Sequence, residues 1–443
     1  MDKMKTFTGK DLEIAKAVAE WLQSNNLKKS FDSLIEETGL VDIPNTKVLE
    51  KKWGSILIMQ KKVNELENKI KTMKEEYEQA ALSGISYTKS LGSSNGLPKQ
   101  PEKFKVNGHR AAISSLAFHP VFNMIASSSD DASIIIWDCS DSDVKQDQYI
   151  RAHTNAINQI VFDTNGKLLA SCSSDMTIKI WKFDNPMKCL KTLTGHEHLI
   201  SSIEFSSDSN FLFSASRDKT IKQWDVSSGF CKNTYKAHDD WVRSISLNDK
   251  SSFLVSCSDD ETIIIWNVDK CEIKNQFTGH NNKIEQVLFV KSEETKRCIF
   301  TGDYQGNSNI DKDKDESSNK VSELNKKLFD TSQLSKKIDK EYVFSCSRDK
   351  TIKLWDISNS TCIYIFEGHD NWVRSMILHS SGKYLISTGD DKSIRIWDLK
   401  NGRCAKKLEK VHDKFIVALS MHSSMGLLAS GSNDLSIKFW DCK

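Results

Sequence analysis

The sequence predicts an all-β protein, a seven-bladed β-propeller, with a small all-α region ahead of it. Two observations predict the ring. A histidine with a tryptophan downstream recurs seven times, and stretches leading into the tryptophans, such as TIKIW (177–181) and SIRIW (393–397), alternate polar and apolar residues as half-buried strands do. A third predicts the helices: ahead of residue 82 the apolar residues recur at steps of three and four.

The repeat is fixed at several positions. Its pairs are His109 and Trp137, His153 and Trp181, His196 and Trp224, His238 and Trp266, His280 and Trp355, His369 and Trp397, and His412 and Trp440. Six pairs are 28 residues apart; the fifth is 75 apart, which leaves 47 inserted residues. An Asp stands six residues before each Trp (Asp131, Asp175, Asp218, Asp260, Asp349, Asp391, Asp434) and a Ser ten before it (Ser127, Ser171, Ser214, Ser256, Ser345, Ser387, Ser430). This pattern resembles the WD repeat, whose units form four-stranded propeller blades. The spacing has a physical reason: a buried Trp N–H, a hydroxyl, an imidazole and a carboxylate can hydrogen-bond in series and tie three strands to a tight turn. Ser, His and Asp also suit hydrolytic triads. Seven equivalent copies, each with a Trp, mark Ser214, His196, Asp218, Trp224 and their equivalents as structural tetrads instead.

The elements follow in order. Residues 11–38 place Leu12, Ala15, Ala19 and Leu22 on one helical face, break at Asn25-Asn26, and place Leu27, Phe31, Leu34 and Ile35 on a second. Two such short helices need a second copy to bury both faces, so residues 1–45 are expected to dimerise. Within 46–82 a coiled-coil seam runs through Ile56, Met59, Val63, Leu66, Ile70 and Met73, with β-branched or γ-branched choices that favour a parallel homodimer. Residues 83–101 read as a flexible linker, and 102–443 as the propeller. The chain stops two residues after its last Trp-Asp, so the strand expected in Glu102–Asn107 completes the seventh blade and closes the ring. The polar, charge-mixed insertion, about 292–341, is expected to be disordered.

Composition excludes several functions. With 62 basic and 60 acidic residues the net charge is +2, so no global field draws the chain to nucleic acid or a membrane. It lacks a run of about 18 apolar residues and an apolar N-terminal leader, which predicts a soluble intracellular protein without membrane insertion. The eleven cysteines lie outside CxxC pairs and read as reduced thiols. Neither a Gly-rich phosphate cradle nor zinc-ligand spacing occurs, so no cofactor, no metal and no enzymatic activity are expected.

The helical pair resembles the LisH dimerisation motif. A LisH motif, a short coiled coil and seven WD repeats, in that order, are similar to the lissencephaly protein family of cytoplasmic dynein regulators. Local stretches strengthen the likeness: EKKWG (50–54), QKKVNELE (60–67), FHPVF (118–122), SASRDKTIK (214–222) and GHDNWVR (368–374). The resemblance implies a non-catalytic dimer that binds the cytoplasmic dynein heavy chain at its motor domain and serves microtubule transport, nuclear positioning and spindle and centrosome work. It implies a place in the cytoplasm and on the microtubule cytoskeleton, with a coiled-coil nuclear distribution partner and microtubule-associated proteins as further partners. Two alternatives stay open here: a non-catalytic subunit of a platelet-activating-factor acetylhydrolase complex, and a generic WD-repeat adaptor.

In a WD blade the residue before the tetrad Asp and the loop after the His share one face. The first position gives Arg217 and Arg348; three and five residues past the His give Trp241 and Arg243, then Trp372 and Arg374, while blade seven adds Phe415. Arginines and aromatics so gathered have the composition of an interface hot spot. The resemblance implies motor contacts at Arg217, Arg243, Arg348, Trp372 and Lys392, and a weaker second contact at Glu197 and His198.

Overall fold

The structure, a computed structural model, describes Lys16, Val18, Ala19, Leu22 and residues 28–38, then 96–140, 143–301, 340–422 and 425–442. It divides into two units, Met1–Ser94 and Asn95–Lys443. In the first, Lys16, Val18, Ala19 and Leu22 are helical and Ala19 is fully buried. Helix α1 (Lys28–Thr38) half-buries Phe31, Leu34 and Ile35 while Lys28, Lys29, Ser30, Asp32 and Ser33 face solvent, the one-sided pattern that the apolar spacing predicts. The seam from Ile56 to Met73 lies outside the described residues, and the dimer contact with it.

The second unit consists of seven four-stranded antiparallel sheets, one for each repeat, so the predicted propeller is what the chain forms. Blade one shows the plan: β2 (Ile113–Phe118), β3 (Met124–Ser129), β4 (Ser133–Asp138) and β5 (Lys145–Arg151) pair in sequence order. The second strand is almost wholly buried, because both of its faces meet protein, whereas the fourth strand exposes most of its side chains at the rim. The core therefore lies between blades. Each of seven apolar clusters spans two neighbours, as when Trp224 and Ile203 of blade three meet Ile178, Ile180 and Leu193 of blade two. One cluster joins blade seven to blade one through Phe439, Ala429, Ile113 and Ile125, which makes the ring continuous.

Closure uses the first strand. The strand β1 (Phe104–Asn107) pairs with β28 (Ser436–Asp441), Phe104 facing Phe439 and Val106 facing Ile437, so the blade that lacks a fourth strand at its C-terminal end receives one from the N-terminal side. Adjacent blades are also stapled around the inner wall. The residue six past the tetrad His accepts a backbone N–H of the next blade: Ser115 from Ile160, Gln159 from Ile203, Ser202 from Ile245, Ser244 from Val287 and Gln286 from Met376, at 2.7–3.5 Å.

Two boundaries differ from expectation. The expected linker of 83–101 ends early, because residues 96–101 already lie on the propeller: Lys99 N–H donates to Asp441 O at 3.1 Å, and His379 holds the Gly96 carbonyl at 2.9 Å. The expected disorder of 292–341 fails at its start. Helix α2 (Glu293–Phe300) carries Glu293 and Glu294 in its first turn and Arg297 in its last, which suits the helix dipole, and it buries Ile299 and Thr295. Ile299 joins Val290, Tyr342 and Leu385 in the core between blades five and six. The helix crosses a turn at Gly382, φ +67°, where a Cβ would stand 3.0 Å from the Thr295 nitrogen. Residues 302–339 lie outside the described residues.

Candidate partner-binding face

Each blade fixes its face loops with the tetrad, and the chemistry dictates the order of donors. Indole N–H only donates and carboxylate only accepts, so the series that satisfies every group runs Trp to Ser to His to Asp. In all seven blades Trp Nε1 lies 2.8–3.0 Å from the Ser hydroxyl. That hydroxyl lies 2.7–2.8 Å from His Nε2. His Nδ1 is 2.6–3.2 Å from the Asp carboxylate. The geometry copies a hydrolytic triad, but the nucleophile position is closed: Ser214 is fully buried and its oxygen already takes the Trp224 N–H. Burial pushes the imidazoles of His109, His153, His280 and His412 below the usual histidine range despite their Asp partners. Burial alone would raise the partner carboxylates; hydrogen bonds from Thr177 and Ser436, with the neighbouring imidazoles, instead hold Asp175 and Asp434 down at about 2.

Upon this frame the face residues come together. Arg217 stacks over the Trp241 ring at 4.3 Å, and Arg348 stacks over Trp372 at 4.4 Å, each arginine reaching the indole of the following blade. Arg243 lies 5.8 Å from the first ring and Arg374 5.1 Å from the second. Both are locked from behind: Arg243 forks onto Asp259 at 2.5 and 3.0 Å, and Arg374 onto Asp390 at 2.9 and 3.0 Å. Both indoles are half-buried, so the exposed surface is guanidinium lying on aromatic ring.

Of the other expected residues, Lys392 donates to the Asp413 carbonyl at 2.7 Å and so belongs to the border of blades six and seven. Phe415 occupies the position of Trp241 and Trp372 in its own blade and is 41% exposed, an apolar group offered to solvent. Glu197 and His198 are exposed, and the His198 ring lies 6.2 Å from Trp241, so the expected second contact adjoins the first. The insertion leaves blade five elsewhere. It follows β18 (Ile284–Phe289) at the end that pairs with Val343, whereas Arg348 follows the opposite end of that hairpin.

Sequence reasoning missed the counter-ions. Glu285 sits between three arginines of three blades: it bonds Arg348 Nε, lies 3.5 Å from Arg374 and 3.8 Å from Arg243. Lys283 bridges to Asp259 at 2.6 Å and lies 5.6 Å from Trp241. A signal existed, since Glu285 is five residues past its His, the position that holds Arg243 and Arg374 in the neighbouring blades. Among the described residues no group of three His, Cys, Asp or Glu could hold a metal ion, and no helix is long and apolar enough to cross a membrane.

Comparison with known proteins places these observations. The family described as WD domain, G-beta repeat matches residues 100–138, 145–182, 187–225, 229–267, 333–356, 360–398 and 402–441. The chain is 36% identical over 385 residues to the nuclear distribution protein nudF 1 of Talaromyces marneffei, a match covering 84% of this chain and 77% of that one. It is 37% identical over 127 residues to the lissencephaly-1 homolog of Dictyostelium discoideum, covering 28% of this chain and 30% of that protein.

Proposed function

Because the chain belongs to the lissencephaly and nuclear distribution family of WD-repeat proteins, we propose that it is a non-catalytic regulator of cytoplasmic dynein that grips the motor domain with the Arg–Trp face. The observation that carries this is the concentration of Arg217, Trp241, Arg243, Arg348, Trp372 and Arg374 in blades three to six, while the same positions in blades one, two and seven hold Phe415, small or neutral residues and one Asp. Guanidinium groups stacked on indole are stiff and prepaid in side-chain entropy, which suits a hot spot. Arg217 has no ion pair of its own, and the cations Arg217, Arg243, Lys283, Arg348 and Arg374 outnumber the carboxylates Asp259, Glu285 and Asp390 that pair with them, so the partner surface is acidic and binding weakens as salt rises.

The test is binding of the full-length protein to a dynein motor domain. Arg217, Trp372 and Phe415 hold no buried carboxylate, so their joint replacement by Ala removes contact without stranding a charge. Binding should weaken by at least about 100-fold, since one hot-spot truncation costs about 2 kcal/mol or more, and the melting temperature should stay near wild type. Undiminished binding sinks the proposal. Two propellers joined by residues 1–82 complete the reading: the protein acts as a parallel homodimer in the cytoplasm and on microtubules, at centrosome and spindle. Light scattering checks this, with Val63→Glu and Leu66→Glu together expected to give a folded monomer because a seam charge has no partner.

A further inference from the structure

The arginine and tryptophan face is built twice, and one copy lacks its counter-ion. In most blades the residue five past the tetrad His bonds the residue just before the tetrad Asp: Ser174 donates to Asn158 in blade two, Arg243 pairs with Asp259 in blade four, Arg348 with Glu285 in blade five, and Arg374 with Asp390 in blade six. Blade three fills the same two positions with Ser201 and Arg217. There the bond is missing, and Ser201 Oγ and Arg217 Nε are both buried without a hydrogen-bond partner. Arg217 and Arg348 are otherwise alike, each over an indole at 4.3–4.4 Å.

The charges around the mouth show what is absent. The cations are Arg217, Arg243, Lys283, Arg348 and Arg374; the carboxylates among them are Asp259, Glu285 and Asp390. Asp259 serves Arg243 and Lys283, Asp390 serves Arg374, and Glu285 serves Arg348 with Arg374 and Arg243 at longer range. Asp130, at the position of Arg217 in its own blade, is two blades away. Burial, and next the like charge of Arg243, lower the pKa of Arg217, while Asp259 and Glu285 act on it from a distance in the opposite direction without bonding it. Water can satisfy a lone hydroxyl and N–H, but only an anion also answers the charge.

Arg217, Ser201 and Arg243 line the central channel together with Asn158 and Ser202, and the channel has a volume of about 530 Å³. Arg243 Nε and Nη2 are spent on Asp259, which leaves Nη1 facing the channel side occupied by Glu285. The Asn158 amide is spent between the Ile200 carbonyl and the Ser174 hydroxyl, so the free donors are the guanidinium edge of Arg217 and the hydroxyl of Ser201, which approach from a turn and from a strand and can be met together by an oxyanion whose oxygens lie in more than one plane. We propose that the channel mouth at Arg217 and Ser201 is a binding site for a small oxyanion of the phosphate class, free phosphate or a phosphate group on a small soluble molecule. The site does not depend on any protein partner.

The experiment is thermal unfolding and calorimetric titration of the full-length protein with sodium phosphate, and separately with pyrophosphate, against sodium chloride of equal ionic strength. Phosphate should raise the melting temperature saturably, as a ligand of the folded state must, with one site per chain. R217Q removes the cation and should abolish the rise. S201E gives blade three the carboxylate that blade five has; it should fill the site from within and abolish the rise while the fold is kept. E285S does the reverse, opening Arg348: it should lower the melting temperature in chloride and bind a second phosphate per chain. If E285S does not fold, R217Q and S201E decide between them. Tighter pyrophosphate binding assigns the site to a phosphorylated small molecule, and equal or weaker binding to phosphate itself. A rise that chloride reproduces, or one that persists undiminished in S201E, overturns the proposal. Because no motor domain is present, this result stands apart from the fate of the dynein reading.

Discussion

The tetrads and the channel mouth are made from the same loops, yet they use the repeat in opposite ways. Ser, His, Asp and Trp are present in every blade with the same hydrogen bonds, and all of them point into protein. Five residues past the His, the ring instead reads Ser114, Asn158, Ser201, Arg243, Glu285, Arg374 and Val417, charged in three adjacent blades and neutral in four. Where a position must hold the blade together it cannot vary, because every blade needs it. Where a position faces solvent the copies are free to diverge, and divergence confined to one sector marks a surface with a task.

The sharpest way to break that contrast is to remove one residue of each kind from blade three. The Asp218 carboxylate accepts from His196, from Thr220 through both backbone and hydroxyl, and from the Glu197 N–H. Asp218→Ala strands the buried His196 ring N–H and the partly buried Thr220 donors and should cost about 3 kcal/mol, at the upper end for an unsatisfied group. Differential scanning calorimetry checks it. Arg217→Ala, one residue away, has no ion pair to lose and should leave the melting temperature nearly unchanged while weakening the partner. Equal melting temperatures for the two variants would erase the distinction between frame and face.

A smaller effect follows from protons. His109, His153, His280 and His412 have folded pKa values below their unfolded one, so the unfolded chain binds protons first as pH falls through about 6.5. Asp175 and Asp434, held down at about 2, act in the same direction at lower pH, because the unfolded carboxylates protonate near 4 while the folded ones remain charged. Propeller stability should therefore be full above neutrality and decline in two stages on acidification. Urea midpoints measured from about pH 7.5 to about pH 2.5 test the sign; a midpoint that rises on acidification between about pH 7.5 and about pH 5 would mean that the imidazoles are charged in the folded state.

Much of this is legible in the sequence. Tetrad positions are legible because seven copies at one spacing leave no other register, and the β1–β28 closure because the last repeat visibly lacks a strand. Arg217, Arg348 and both indoles were found from their offsets. Offsets give a residue's place in its own blade but not what the next blade presents to it. Hence Glu285 went unseen as the centre of three arginines, and the stacking of Arg217 on Trp241 across a blade boundary was not foreseen. Helix α2 was missed because its eight residues carry few apolar groups; Ile299 earns its burial only from a cleft between blades five and six that the local sequence does not describe.

The least effect tests whether the frame itself carries strain. After each tetrad Asp comes a residue with left-handed backbone: Ala132, Met176, Lys219, Glu261, Lys350, Lys392 and Leu435, with φ between 59° and 71°. The cause is the Asp side chain. Its second oxygen accepts the backbone N–H two residues on, at 2.9–3.1 Å in every blade, and the residue between is forced through the turn. A left-handed L-residue costs about 1–2 kcal/mol, and Gly there gives back part of that as chain entropy. Leu435 is partly exposed, so Leu435→Gly loses little burial and should raise stability by roughly 0.5 kcal/mol, a small upward shift in the urea midpoint with partner binding unchanged. Lys392→Gly should show the same relief of strain but weaken the motor contact, since Lys392 is among the proposed contact residues and Leu435, its equivalent in blade seven on the same ring face, is not. If both glycine variants behaved alike in binding as well as in stability, Lys392 would belong to the frame.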